Sequence, residues 1–304
     1  MLKFPLIYHE DYDLNFGDHV FPSVKYELIR EKLLLEGFAS AEDFLEPQPA
    51  SDEDLMLVHE RGWVTRLKHG TLGYHEILQL EIPYSRPMVN AFWLAAGGTT
   101  LAAEGALKHR AGFNIGGGFH HAFPGHGEGF CAIHDVAVAI RKLQSEKLIE
   151  RAIVVDVDVH QGNGTAAIFA SDPTVYTMSI HQFNNYPSVK PPSTLDINLE
   201  DGTGDTEYID RLRGPLETAL DQFCPQLLMY VAGADPYEQD KLGGLSLTME
   251  GLFQRDLMVM NAAFSRNVPV CITLAGGYAL KLDDTVRIHA NTAKAAAQAL
   301  RRTA

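Results

Sequence analysis

Cysteine is scarce: three in 304 residues, Cys131, Cys224 and Cys271, far apart and without a CxxC pair. That excludes a disulfide-stapled scaffold and a cysteine-ligated zinc ribbon, and makes a reducing cytoplasm the expected compartment. A basic excess is also missing. Lys and Arg number 25 against 39 Asp and Glu, a formal net charge of -14, so the clustered cations that phosphate contacts need are absent and no nucleic-acid partner is expected. No apolar run is long enough to span a bilayer, and the opening MLKFPLIYHEDYD reaches charge too early for a signal peptide, so a soluble chain with no membrane partner is expected. No linker, low-complexity tract or internal repeat divides the sequence, and 46% of it is hydrophobic. One domain over residues 1–304 is therefore expected.

What the sequence does have is alternation. Strand-like runs at GFNIGG, RAIVVDVDV, TVYTMSI, QLLMYVAG and VPVCITLAGG are separated by helical patterns such as HDVAVAIRKLQSEKL, TEYIDRLRGPLETALDQF, TMEGLFQRDLMVMNAAFSRN and HANTAKAAAQALRR. This predicts an α/β fold with a mostly parallel sheet covered on both faces, in which ligands bind beyond the carboxyl ends of the strands. The residues with chemistry to offer fall at those ends. His120 and His121 follow NIGGGF, Asp158 and His160 close IVVDVDVH, Asp235 ends LLMYVAGAD, and Tyr278 ends ITLAGGY.

The run RAIVVDVDVHQGNGT poses the sharpest question, because Asp156, Asp158 and His160 share one face if the strand continues through them. Val155, Val157 and Val159 make the other face apolar, which argues against an exposed edge strand. Buried carboxylates without partners would normally be protonated, paired or metal-bound. Asp158, His160 and Asp235 form a one-nitrogen, two-oxygen set that leaves a metal room for water or substrate; Zn²⁺ fits it, and its hardness admits Fe²⁺ as well. Such a site would hydrolyse an amide by metal-activated water, with an imidazole moving the proton and a phenol and the metal stabilising the oxyanion. GHGEGF, Gly125 to Phe130, is expected to form a flexible wall of the pocket, with Phe130 as its apolar lining. GGGF is not a phosphate cradle, since neither a P-loop nor a dinucleotide fingerprint is present.

The segments NIGGGFHHAFPGHGEGFC, DVDVHQGNGT, GADPYEQDKLGGLS and LAGGY resemble the zinc-dependent histone deacetylases, in particular the class IV branch and its bacterial relatives. The resemblance runs over nearly the whole chain. It implies the three-layer arginase/deacetylase fold and hydrolysis of acyl-lysine, acetyl or longer. It further implies Zn²⁺ on Asp158, His160 and Asp235, His121 as general base and then acid, His120 as its electrostatic companion beside Asp156, and Tyr278 as donor to the carbonyl oxygen. A structural K⁺ is implied at Asp156, Asp158, His160, Ser179 and Ile180, and substrate contacts at Gly129, Phe130, Leu242, Gly276 and Gly277. Where many class I and II members carry a second aspartate, this chain has Asn163, as class IV relatives do. A neutral amide orients His121 without stabilising its charged form, so His121 is expected neutral and His120 protonated.

Three rival readings differ in what they require. A dinuclear arginase-like hydrolase would want a carboxylate where Gly162 stands, and a second one in VAGADP. An inactive acyl-lysine reader would have lost Tyr278 or a metal ligand. An acetylpolyamine hydrolase would be marked, by the same resemblance, with an acidic residue at Leu242, seven positions beyond Asp235. Leucine there offers an ammonium no partner and suits an acylated protein or peptide better than a small acylated amine.

Overall fold

A computed structural model describes residues 2–14, 16–17 and 19–302. Its strands are β1 (Leu6–Ile7), β2 (Phe44–Leu45), β3 (Ala111–Asn114), β4 (Ala152–Asp156), β5 (Val175–Gln182), β6 (Leu195–Leu199), β7 (Leu227–Val231) and β8 (Val270–Thr273). They make one 8-stranded sheet in the order β2-β1-β3-β8-β7-β4-β5-β6, every pairing parallel. The alternating pattern predicted this class of fold. Two-residue β1 and β2, and half-exposed β6, carry too short or too mixed a pattern to be read in advance.

Side-chain alternation sends the strands into two cores. Ile153, Val155, Leu228, Tyr230 and Ile272 pack with the helices Asp205–Phe223, Met249–Phe264 and Leu282–Arg302. Ala152, Val154, Leu227, Met229 and Cys271 pack with Arg86–His109 and Asp135–Ser145. Burying each Val, Leu or Ile side chain stabilises the fold by roughly 1.5–3 kcal/mol. The long helix Arg86–His109 starts where Ser85 Oγ accepts from Met88 N at 3.2 Å with Pro87 in the first turn, and it ends at Arg110, whose φ is 70°.

Register aligns the exits of the central strands. Asp156 pairs with Ser179 on one side and Val231 on the other, Val231 pairs with Thr273, and Phe113 pairs with Ile272. The chain therefore leaves β3, β8, β7, β4 and β5 along one rim. One expectation is corrected here: β4 stops at Asp156, and Asp158 and His160 lie in the bend that follows. They are not alternate residues of a strand. Val157 N still donates to Val231 O at 3.1 Å, which carries the bend along β7 toward Asp235.

Candidate metal centre and pocket

The β3 exit turns through Gly117 (φ +68°) and Gly118 (φ +82°), and a Cβ at Gly118 would sit 2.6 Å from Ala275 N. Glycine is required by conformation and by space. Asp135, buried at the start of its helix, then fastens the turn: its carboxylate accepts from Gly118 N at 2.9 Å, Phe119 N at 2.8 Å and Thr99 Oγ1 at 2.6 Å. His120 and His121 emerge with ring centroids 4.0 Å apart, both buried.

Three donors converge beside them. His160 Nδ1 lies 3.0 Å from Asp158 Oδ1 and 3.4 Å from Asp235 Oδ2, and the donor atoms of all three residues fall within 4.8 Å of one another. The other oxygens are already committed. Asp158 Oδ2 accepts from Gly276 N at 2.8 Å, and Asp235 Oδ1 from Val159 N at 2.9 Å. Asp235 Oδ2 is buried and has no hydrogen-bond partner among the described residues. An orphaned carboxylate oxygen aimed at an imidazole and a second carboxylate is what a divalent cation satisfies. The electrostatics agree: burial, then Asp158, pushes Asp235 up to about 7. Burial would lower His160, but Asp158 and Asp235 outweigh it and raise it to about 10. The excess of negative charge that holds a proton there suits a metal ion equally.

The two flanking histidines differ as their partners do. His120 Nδ1 meets Asp156 Oδ2 at 2.7 Å; burial disfavours its charge, yet Asp156 and Asp158 prevail and lift it to about 9. His121 is held well below the usual histidine range, by burial first and then by the charges of His120 and His160. Its Nδ1 lies 2.7 Å from Asn163 Oδ1, which also accepts from Gly164 N at 3.0 Å. With that oxygen an acceptor, Nδ1 carries the proton and Nε2 keeps its lone pair.

His121 and His160 share a cavity of about 190 Å³ with Gly129, Phe130, Tyr186, Leu242, Tyr278, Asn185 and Glu81. Gly129 and Phe130 have φ of 52° and 68°, and a Cβ at Gly129 would lie 2.8 Å from His121 Cδ2. Burial, then Asp158 and Asp235, raises the Tyr278 phenol, so it stays a donor. Leu242 is on the cavity wall, its carbonyl accepting from Asn185 Nδ2 at 2.8 Å. Gly276 and Gly277 are not on that wall; Gly276 presses on the Asp158 and Asp235 carboxylates, since a Cβ there would lie 2.0 Å from Asp235 Oδ2. The group expected around K⁺ is buried at the rim, with Asp156 and Ser179 register partners and Ile180 next in β5. A larger groove of about 720 Å³ near Trp93 holds none of these residues, so the chemistry points to the smaller cavity.

Sequence reasoning missed several residues here. Asp240 accepts from Tyr278 N at 2.6 Å, Leu242 N at 2.8 Å and Gly243 N at 2.9 Å, tying two pocket loops together. Lys25 is fully buried, donates from Nζ to Ala275 O at 2.7 Å, and is lowered to about 8 by burial. Asp135, Glu128 and Tyr186 were missed as well. Each is a single polar residue with at least one decisive partner remote in sequence, which leaves little local signal.

Comparison with known proteins places this geometry. The histone deacetylase domain model matches residues 19–293. An uncharacterised protein of Picosynechococcus is 41% identical over 296 residues, 97% of this chain and 99% of that one. Histone deacetylase 2 of Arabidopsis thaliana is 32% identical over 91% of this chain and 75% of its own length. The acetoin utilization protein AcuC of Staphylococcus aureus is 28% identical over 86% and 72%. The crystal structure of the HDA15 HD domain superposes with a TM-score of 0.78 at 22% identity, over 98% of this chain and 94% of that one, a likeness of fold.

Proposed function

The chain belongs to the histone deacetylase family, within the arginase/deacetylase superfamily, and we propose that it is a metal-dependent amidohydrolase that removes acyl groups from lysine side chains. The family supports a deacetylase hydrolase; the substrate, the metal and the roles below are our reading. The observation that carries it is the unpartnered Asp235 Oδ2 facing His160 Nδ1 and Asp158, with His121 on the wall of the same cavity.

Asp158, His160 and Asp235 would hold the divalent ion, Zn²⁺ or Fe²⁺, which when bound polarises the amide carbonyl and acidifies water. Neutral His121, its Nδ1–H held by Asn163, takes a proton from the attacking water at Nε2. Tyr278 donates to the carbonyl oxygen as negative charge develops there. His121 then returns the proton to the leaving amine, releasing acid and amine with no covalent intermediate. His120, paired with Asp156, stays charged behind His121. Asp156, Ser179 and Ile180, with Asp158 and His160, would hold K⁺ at the strand end.

Phe130, Tyr186 and Leu242 suit the aliphatic arm of an acyl-lysine. An acylated polyamine is the second reading, favoured by Glu81, a carboxylate on the same cavity that could pair with a distal ammonium. The test is a hydrolysis panel across acyl lengths and amine types with metal-replete protein. Acyl-lysine peptides should have the highest kcat/KM, and preference for acetylspermidine would transfer the assignment to the polyamine.

A further inference from the structure

Glu128 takes no part in the reaction set out above, yet its half-buried carboxylate gathers donors from three elements. It accepts from the Asn163 amide nitrogen, from Tyr186 Oη at 3.0 Å and from Gln79 Nε2 at 3.1 Å, and His126 Nε2 lies 3.4 Å away. Its own place is set by backbone. Glu128 N donates to Cys131 O at 3.2 Å and Cys131 N to Glu128 O at 2.9 Å, around a turn in which Gly129 and Phe130 both have positive φ.

A carboxylate only accepts, so the atom of Asn163 that faces it must be the amide nitrogen. The oxygen is then turned toward His121 Nδ1, where Gly164 N–H also requires it. Flipping the amide would set oxygen against the Glu128 carboxylate and nitrogen against the Gly164 N–H, losing two bonds and creating two clashes of like partners. We propose that Glu128 is a positioning residue that locks the Asn163 amide oxygen-inward, keeps the His121 proton on Nδ1, and through Tyr186 ties that lock to the wall of the acyl pocket. The proposal rests on His121 acting as the base of the proposed reaction.

Glu128 and Asn163 are thus a matched pair. An aspartate at position 163 would need no lock, since both of its oxygens accept, but one of them would face Glu128 and repel it. Asn163→Asp should therefore lower turnover in this chain, and Glu128→Gln, which turns an acceptor into a donor, should restore it.

The experiment compares wild type, E128A, E128Q, N163D and E128Q/N163D, each with measured metal content, for kcat and KM separately. Ring ¹⁵N NMR of His121, assigned against H121A, reports the tautomer independently of activity. E128A should lower kcat about tenfold with KM little changed, and should convert His121 from the Nδ1–H form to a mixture. N163D should lose about tenfold, and E128Q should be mildly harmful alone yet beneficial in the N163D background. Multiplicative losses in the double variant, or an unchanged His121 tautomer in E128A, would overturn the proposal. If E128A does not fold, the N163D and E128Q cycle decides alone. If wild type hydrolyses no amide while its His121 tautomer still depends on Glu128, the deacylase reading fails and the positioning role stands.

Discussion

Replacing Gly276 with alanine perturbs the proposed metal centre without altering a donor atom. The added Cβ would lie 2.0 Å from Asp235 Oδ2, 2.6 Å from Asp158 Oδ2 and 2.9 Å from Asp235 Cγ. An ordinary carbon–oxygen contact is about 3.3 Å or longer, so the Asp235 oxygen must retreat by roughly 1 Å. Metal sites tolerate shifts of about 0.2 Å in a ligand distance. Lesser changes in the groups that orient ligands weaken metal affinity about 10–100-fold, so the upper end is expected here. At saturating metal, a misplacement of about 1 Å should also lower kcat/KM by about 10²-fold. Zn²⁺ competition against a chelator reads the first effect, and hydrolysis of an acetyl-lysine peptide the second. Gly62→Ala is the control: it lies in the helix Arg61–His69, and its Cβ meets only Arg66 Nη1, at 3.1 Å, the end of a flexible side chain. It should change stability by no more than about 1 kcal/mol and leave metal and turnover alone. Wild-type metal affinity and turnover in Gly276→Ala would refute the arrangement of Asp158 and Asp235 argued above.

Four further outcomes are expected. Asp158→Ala, His160→Ala and Asp235→Ala should each lose bound metal and activity together; stoichiometric metal with normal turnover in any of them removes that residue from the ligand set. His121→Ala and Tyr278→Phe should keep their metal and lose about 10²–10⁴-fold in kcat, and metal loss in either would move it into the ligand shell. Leu242→Glu should shift the kcat/KM ratio about tenfold toward acetylspermidine over an acyl-lysine peptide, and an unmoved ratio would take Leu242 out of substrate contact. While Asp235, raised to about 7, contributes to stability with the opposite sign, the contribution of His59 should fall with acid below pH 6.5, because burial lowers that histidine from 6.5 to about 4. The unfolded chain takes up that proton between these values while the folded one resists it, on the order of 3 kcal/mol once pH has fallen through both. His181 is likewise lowered to about 4, and His134 and His289 lie well below 6.5, all by burial. A urea midpoint that changes between pH 7 and pH 5 by the same amount in His59→Gln as in wild type would contradict this.

Much of the molecule was legible before any coordinate. Runs such as QLLMYVAG and VPVCIT, alternating with helical patterns, determined a parallel sheet covered on both faces, because burial periodicity is a local property of the chain. The same logic put His120, His121, Asp158, His160, Asp235 and Tyr278 at strand exits, where such sheets present their ligands. The tertiary structure decided what depends on contacts between distant segments. It ended β4 at Asp156, so that Asp158 and His160 turn into the site from a bend. Among the described residues it left Asp235 Oδ2 unpartnered against His160, and it moved Gly276 from the pocket wall to the back of the Asp158 and Asp235 carboxylates. It set Glu128 against Asn163 and Tyr186, 35 and 58 residues away. A lone glutamate in a glycine-rich loop carries no periodic signal; its role depends on which donors the fold brings within hydrogen-bond reach, and only the packed chain determines that.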